Sequence, residues 1–309
     1  MRRLFGVFAI VLISTISFAA EPSASNQGYE LNPNAETETK AEEQEKVSLS
    51  LCGVIDGRTS FYYRAYKIMN YYVVQPDVTL TLKNLPVGPF KVSPYIDFWQ
   101  NFSEIQGNSG TFRHWTESDI NPGFVIAYNR ISLDFNYLTN FLPSGINDKI
   151  KARGADGQEQ ELDVTFGYDD TKEDKGNLGP FKYNKGLFVP IALQPHILYV
   201  KEFEDRADHD LNSYLEFGFE PEFTRGEKWS FTIPALLGCS LHSYYTDNSG
   251  HNDFLGYLQT GTKVKYQLDR HWEAHAGCDY IYAMSSSIPV WNGTGRNISV
   301  GFFGFGFEY

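Results

Sequence analysis

SVGFFGFGFEY, residues 299–309, is the stretch that decides the fold. Counting back from the end, Tyr309, Phe307, Phe305 and Phe303 occupy every second position, with Glu308, Gly306, Gly304 and Phe302 between them. Side chains alternate faces along a strand, so one face here is a row of large aromatics and the other is mostly small or charged. A soluble sandwich can bury such a face, but its final strand rarely stops on a bare aromatic carboxy terminus.

The other end of the chain narrows the choice. MRRLFGVFAIVLISTISFAA opens with Arg2 and Arg3, runs through the apolar stretch Leu4 to Ile16 and offers Ser17-Phe18-Ala19 as a small-x-small cleavage site. That pattern predicts a secretory signal peptide over residues 1–19, too short and wrongly flanked for a membrane anchor. No later stretch approaches the ~20 apolar residues a membrane helix needs. An alternating strand that ends on an aromatic resembles the closing strand and assembly signal of bacterial outer-membrane barrels. Such strands expose only every second residue to lipid, so modest hydropathy is compatible with a membrane location.

Residues 20–46 are acidic, polar and almost free of large apolar side chains, which predicts a disordered periplasmic leader. From Val47 to Tyr309 a period of two dominates. Twelve strands are expected, near 47–64, 73–83, 90–102, 120–129, 131–142, 161–169, 187–201, 212–224, 229–244, 254–268, 272–284 and 297–309. The alternation is cleanest late in the chain. Leu215, Phe217, Phe219 and Phe223 interleave with Glu216, Gly218, Glu220 and Glu222; Trp272, Ala274, Ala276, Tyr280 and Tyr282 interleave with Glu273, His275, Gly277 and Asp279.

The connections alternate too. Asn129-Arg130, residues 225–228 and Asp269-Arg270-His271 are tight turns, whereas long polar loops are expected near 103–118, 143–160, 245–253 and 285–296. Short periplasmic turns opposite long outer loops suit an outer-membrane barrel. Residues 170–186 break the pattern, being long where a short turn is due; they are either an insertion or a sign of two miscounted strands. Trp229 and Trp272, each just after a short turn, match an interfacial aromatic girdle at the level of Tyr309.

VVQPDVTLTL, HWTESDINPGFVIAYNRISLDFNYLTNFLPSG and NSYLEFGFEPEF with the following RGEK resemble, together with the closing strand, a group of uncharacterised bacterial outer-membrane barrel proteins described as porin-like. The resemblance implies an all-β, transmembrane, antiparallel up-and-down barrel in the bacterial outer membrane. It would be surrounded by membrane lipids and inserted by the outer-membrane assembly machinery through Phe303, Phe305, Phe307 and Tyr309.

With the aromatic faces toward lipid, the opposite faces line a lumen. Candidate pore-lining residues are Asp163, Asp169, Glu216, Glu220, Glu222, Glu273 and Asp279, with Arg58, Arg64, Lys263 and Lys265 against them. Carboxylates outnumber fixed cations, so an open lumen would favour cations or neutral polar solutes. Passive diffusion of small hydrophilic or cationic solutes is one reading. The other is a closed structural or adhesive barrel, its charges paired across a narrow interior, that acts through its outer loops. Tyr62, Tyr95, Trp99 and Tyr257 are expected in the lumen, where they either stack on solutes or pack the interior.

No catalytic constellation stands out. No His is followed two residues later by Ser, and Asp205-Arg206-Ala207-Asp208-His209-Asp210 lies in a loop without protease spacing. Cys52, Cys239 and Cys278 show no metal spacing, and Cys239 and Cys278 are expected to face outward as small apolar residues. Asp208, Asp210 and Asn212, or Asp247, Asn248 and Asp253, lack the glycine and distant glutamate of a full calcium loop. No metal or cofactor is therefore assigned. With 38 acidic against 26 basic residues, nucleic acid is excluded as a partner.

Overall fold

The computed structural model describes residues 47–103, 114–141, 160–170, 192–203, 212–225, 228–246 and 250–309. The expected signal peptide and leader lie outside them. So do nearly all of the expected loop 143–160, most of 103–118, the segment 171–191, residues 204–211 and Asp247-Asn248.

Among the described residues, strands run as β1 (Ser48–Arg58), β2 (Val73–Lys83), β3 (Phe90–Ser103), β4 (Trp115–Tyr128), β5 (Ile131–Phe141) and β6 (Gln160–Tyr168). They continue as β7 (His196–Glu202), β8 (Ser213–Phe219, resuming as Glu222–Arg225), β9 (Trp229–Thr232, resuming as Ala235–His242), β10 (Leu255–Gln267), β11 (Trp272–Ala283) and β12 (Asn297–Glu308). Each pairs antiparallel with its sequence neighbours, and β12 returns to β1 in the register Cys52↔Glu308 to Arg58↔Phe302. The result is a closed up-and-down barrel of twelve strands, a topology that removes every sheet edge. Its seam reaches the last residue: Leu51 N–H donates to the Tyr309 carbonyl at 3.0 Å and Tyr309 N–H to the Leu51 carbonyl at 2.8 Å.

The barrel is turned inside out relative to a water-soluble domain. Ile55, Phe124, Phe217 and Leu258 are exposed, and Phe303 and Phe305 are 54% and 50% exposed. On the same strands Asp56, Asn121 and Glu216 are buried, as are His275 of β11 and Asp97 of β3. An apolar exterior around a polar interior is stable where the surroundings are hydrocarbon, because every strand N–H and C=O is already paired. Among the described residues no helix is long and apolar enough to cross a membrane. At the end with the short turns, Trp229 packs on Tyr266 with ring centroids 4.7 Å apart, and Trp272 Nε1 donates to the Tyr309 hydroxyl at 3.2 Å. These amphipathic rings sit where the apolar band meets the turns, as a girdle requires.

β6 and β7 are hydrogen-bonded neighbours, so the long connection between them is not a pair of miscounted strands. Several boundaries differ from the sequence expectation. β7 begins at His196 rather than 187; of that difference, residues 192–195 lie outside the strand, where Gln194 has φ 48° and Pro195 cannot donate to a ladder. β4 begins at Trp115 rather than 120, so Glu117, expected in a loop, and Asp119, just ahead of the expected strand, are buried on a strand. Pro221 and Pro234 sit in the breaks of β8 and β9, one position out of register with each other, and Ile233 N–H donates to the Pro221 carbonyl at 3.1 Å.

Two predicted side-chain directions are corrected. Register shifts between Gly238 and Cys239 and opposite Ser213/Tyr214 make the loop end of β9 irregular. Cys239 is buried, and His242, which the sequence parity of Gly238 and Ser240 places inside, is exposed. The largest correction concerns the first strand, expected over 47–64. β1 stops at Arg58, and the chain folds into the barrel as a second hairpin, Phe61–Tyr63 paired with Tyr66–Met69. Arg64 is the tip of that hairpin and not a residue of the barrel wall.

Candidate functional site

The inserted hairpin divides the lumen. Phe61, Tyr62, Tyr63, Ala65, Tyr66 and Met69 are all buried, an apolar or aromatic run on both faces of a two-stranded ribbon. Such a ribbon has no face that suits solvent, so it packs into the loop end of the barrel. Phe61 meets Trp99 with centroids 5.6 Å apart, and Met69 and Val73 complete that cluster. On the other side Ala65 and Tyr66 join Tyr245, Ile281, Ile288, Ile298 and Val300. A short helix in the β11–β12 connection, α1 (Ser287–Asn292), covers the tip: Asn292 Nδ2 donates to the Ala65 carbonyl at 2.8 Å and Asn292 Oδ1 accepts from Lys67 N–H at 2.7 Å.

The tip itself is bent tightly. Arg64 and Ala65 have φ of 45° and 68°, the left-handed pair that a two-residue hairpin turn of the primed kind demands. Neither is glycine or asparagine, so the turn costs roughly 1–2 kcal/mol per residue. The Arg64 guanidinium compensates by its surroundings. It is 3.8 Å from both Glu161 and Asp163, and lies over the rings of Tyr214 at 4.2 Å, Tyr63 at 5.0 Å and Tyr244 at 5.5 Å. Tyr63 hydroxyl donates to Glu161 at 3.0 Å, tying the ribbon to β6.

Beneath the hairpin, toward the turn end, lies a cavity of about 90 Å³. At roughly 10–15 Å³ per molecule that is room for several waters. Glu216, Glu220 and Glu222 of β8 line it, with Lys263 and Lys265 of β10, Asp279 of β11 and Arg58 of β1. The β9 residues between the acidic and basic rows are Thr232, Pro234 and Leu236, so the two signs occupy separate strips of wall. Tyr62 and Arg64 close its upper side.

The individual carboxylates are held differently. Glu216 Oε2 accepts from Tyr214 at 2.7 Å and Tyr257 at 2.9 Å, and those hydroxyls are themselves 2.9 Å apart. Arg58 donates to Asp56 at 3.1 Å and pairs with Asp279 at 3.6 Å. Lys265 pairs with Glu273 at 3.6 Å. Glu222 accepts from Gln194 Nε2 at 3.2 Å.

Of the eleven candidates, the structure brings eight to this cavity: Arg58, Arg64, Glu216, Glu220, Glu222, Lys263, Lys265 and Asp279. Asp163 lies instead beside the hairpin tip. Glu273 faces Lys265, and its Oε1 is 3.6 Å from His275 Nδ1. Asp169 follows β6 at the turn end, where its N–H donates to the Arg130 carbonyl at 2.8 Å, away from the cavity lining. The four lumen aromatics pack rather than stand free: Tyr95 donates to Asp134 at 2.9 Å, Tyr257 to Glu216, Trp99 rests on Phe61, and Tyr62 roofs the cavity. Sequence reasoning missed Glu161, Tyr214 and Tyr244. Glu161 shares the inward parity of Asp163, which was the available signal.

Of the loop oxygens considered for calcium, Asn212 donates to Glu202 at 2.6 Å, and Asp253 is engaged by Ser285 and Ser286. Asp253 Oδ2 accepts from Ser286 N–H at 2.8 Å, from Ser285 Oγ at 2.9 Å and from Ser286 Oγ at 3.0 Å. Burial pushes this loop carboxyl upward, but these hydrogen bonds and His251 outweigh it and hold the group below the usual carboxylate range.

No protein-family model and no curated protein matches the sequence. Among solved structures, the chain is similar to an outer membrane channel from Pseudomonas putida F1, at 10% identity over 88% of this chain and 100% of that one, with a TM-score of 0.45. It is also similar to the NanC porin, at 10% identity over 84% of this chain and 99% of that one, with a TM-score of 0.40. A third is the translocator domain of the autotransporter NalP from Neisseria meningitidis, at 10% identity over 86% of this chain and 90% of that one, with a TM-score of 0.37.

Proposed function

We propose that this protein is a non-enzymatic channel of the bacterial outer membrane that passes small hydrophilic or cationic solutes. The observation that carries the proposal is the charged cavity enclosed by a closed barrel with an apolar exterior, its carboxylates Glu216, Glu220 and Glu222 aligned along one wall. A barrel needs only a packed core to be stable; a hollow lined by ionisable groups costs packing and desolvation, which passage of polar solutes would explain. In this reading the short turns and both chain ends face the periplasm and the long loops face outward, and the inserted hairpin forms the constriction. A row of carboxylates in a low-dielectric tube focuses negative potential and makes the current cation-preferring.

Planar-bilayer recording of the purified, folded protein tests this. The expected result is a steady conductance whose reversal potential in a salt gradient shows cation preference, moved toward zero when Glu216 and Glu220 are both replaced by Gln. One observation favours a second reading, a closed barrel acting through its outer loops: the hairpin fills the loop end, and Arg58 and Lys265 have carboxylate partners. Silence at all voltages from a correctly folded barrel selects that second reading.

A further inference from the structure

Arg64 is held by charge and ring faces rather than by its hydrogen-bonding geometry. Its side chain is buried, yet none of its Nε, Nη1 and Nη2 atoms makes a hydrogen bond. A guanidinium has five N–H donors in a fixed fork, and a residue placed for structural strength normally uses several of them. Here the contacts are two carboxylates at 3.8 Å and the faces of Tyr214, Tyr244 and Tyr63. None of these contacts is specific to an arginine side chain. Tyrosine faces and carboxylates together accept any guanidinium or ammonium group of suitable size.

Most of the host is not on the hairpin. Glu161 and Asp163 belong to β6, Tyr214 to β8 and Tyr244 to the connection after β9, so both carboxylates and two of the three rings are carried by elements other than the hairpin. The hairpin, for its part, is closed at a cost, with Arg64 and Ala65 both in the left-handed region. Arg64 also borders the cavity below, so a solute that enters there arrives against it.

We propose that Glu161, Asp163, Tyr214 and Tyr244 form a recognition site for the guanidinium or ammonium group of a solute, occupied in the closed barrel by the chain's own Arg64. A cationic solute competes with Arg64 for the cage, and its binding frees the hairpin. This inference rests on the channel proposal and adds to it a solute class and a trigger. The ligand shifts the closed-to-open balance only through its preference for the vacated cage, so the affinity difference between the two states is the quantity to measure.

Agmatine, which carries a guanidinium and an ammonium, is the probe, and neutral butylurea is its control. Calorimetric titration compares the folded, micelle-bound wild-type protein with Arg64→Ala, with Arg64→Met as the variant that keeps the apolar stem should the first fail to fold. The expected result is that vacating the cage tightens agmatine binding by roughly tenfold or more. Asp163→Asn added to either variant should abolish that gain, and butylurea should bind to none of them. Equal affinity in wild type and both Arg64 variants, or a gain indifferent to Asp163→Asn, overturns the proposal. Bilayer recording separates this failure from failure of the channel itself. Salt current that agmatine does not enhance overturns the trigger alone, whereas absence of salt current in wild type and Arg64 variants alike overturns the channel.

Discussion

His275 Nε2 and Asp56 Oδ1 stand 2.6 Å apart although their strands, β11 and β1, are not neighbours. Both residues are in register with Gly304 of the intervening β12. Only because that position has no side chain can the imidazole and the carboxylate meet across it. A Cβ at Gly304 would lie 2.5 Å from Asp56 Oδ1 and 2.7 Å from His275 Nε2, and would also press on the Ile55 carbonyl. The alternation of small and large residues at the carboxy terminus therefore does two jobs. Its aromatic face is exposed on the outside of the barrel, and its small face lets the two neighbouring strands reach each other inside the seam.

Gly304→Ala should accordingly weaken the seam. The close approach involves backbone as well as side-chain ends, so relief requires the strands to part, at the ~1–3 kcal/mol typical of overpacking. The check is the temperature at which the folded barrel loses its fast electrophoretic migration, expected to fall in Gly304→Ala. Gly295, where an added Cβ meets nothing, is the matched control. An unchanged transition would show that Asp56 and His275 do not bear on closure.

Arg58 supports the same seam from within. It bonds Asp56 at 3.1 Å, pairs with Asp279 at 3.6 Å and lies 5.1 Å from the Phe302 ring centroid, all well inside the lumen. Removing one partner of a buried charge group leaves the others uncompensated, at about 3–5 kcal/mol. Arg58→Met should therefore lower the urea midpoint strongly, while Arg58→Met with Asp56→Asn and Asp279→Asn should recover much of the loss. Equal loss in the single and triple variants would mean that Arg58 acts by packing on Phe302 rather than by charge.

How far the sequence led is seen by comparing β12 with the first hairpin. At β12 the two faces differ in chemistry, so a period of two is visible and assigns the outer and inner faces without coordinates. In SFYYRAYKIM, residues 60–69, Phe61, Tyr62 and Tyr63 are large on both parities, and the pattern that marks a barrel wall disappears. Such a segment reads as an extension of the preceding strand, although its two-sided apolarity means that both faces are buried and hence that it lies inside. The placement of Arg64 was wrong for that reason. The cavity charges on β8, β10 and β11 were legible from parity because those strands stay in phase where they line it. In β9 the departures are local: Cys239 is buried and His242 exposed beside register shifts that carry no sequence sign as strong as a proline, while Ser240 stays buried and Leu241 exposed as parity predicts.

Tyr309 is bound on three sides, and its loss should be felt in assembly. Its backbone exchanges hydrogen bonds with Leu51, its ring stacks on His271 with centroids 4.5 Å apart, and its hydroxyl accepts from Trp272 Nε1. We propose that Phe303, Phe305, Phe307 and Tyr309 also form the face offered to the outer-membrane assembly machinery. Tyr309→Ala, or removal of the last strand, should then lower the fraction of protein recovered in the outer membrane, with Tyr309→Phe intermediate because it keeps the ring. Wild-type yields from Tyr309→Ala would assign the residue to neither role.

Asp253 should make the outer cap of the barrel acid-sensitive. Its carboxylate gathers Ser285 and Ser286 just before α1, and α1 in turn holds the hairpin tip through Asn292. Because its folded-state pKa lies below the 3.8 of a free aspartate, the anchoring is fully present above that value and is lost as the pH falls through the lower, folded-state value. Hydrogen exchange at residues 284–292 should thus be slow near neutrality and, after correction for intrinsic rates, faster in strong acid. In Asp253→Asn the segment should exchange faster than wild type at neutral pH and lose most of the acid response. If wild type and Asp253→Asn show the same pH profile, the cap is held by the Tyr66, Tyr245 and Ile288 packing alone and Asp253 contributes nothing to it.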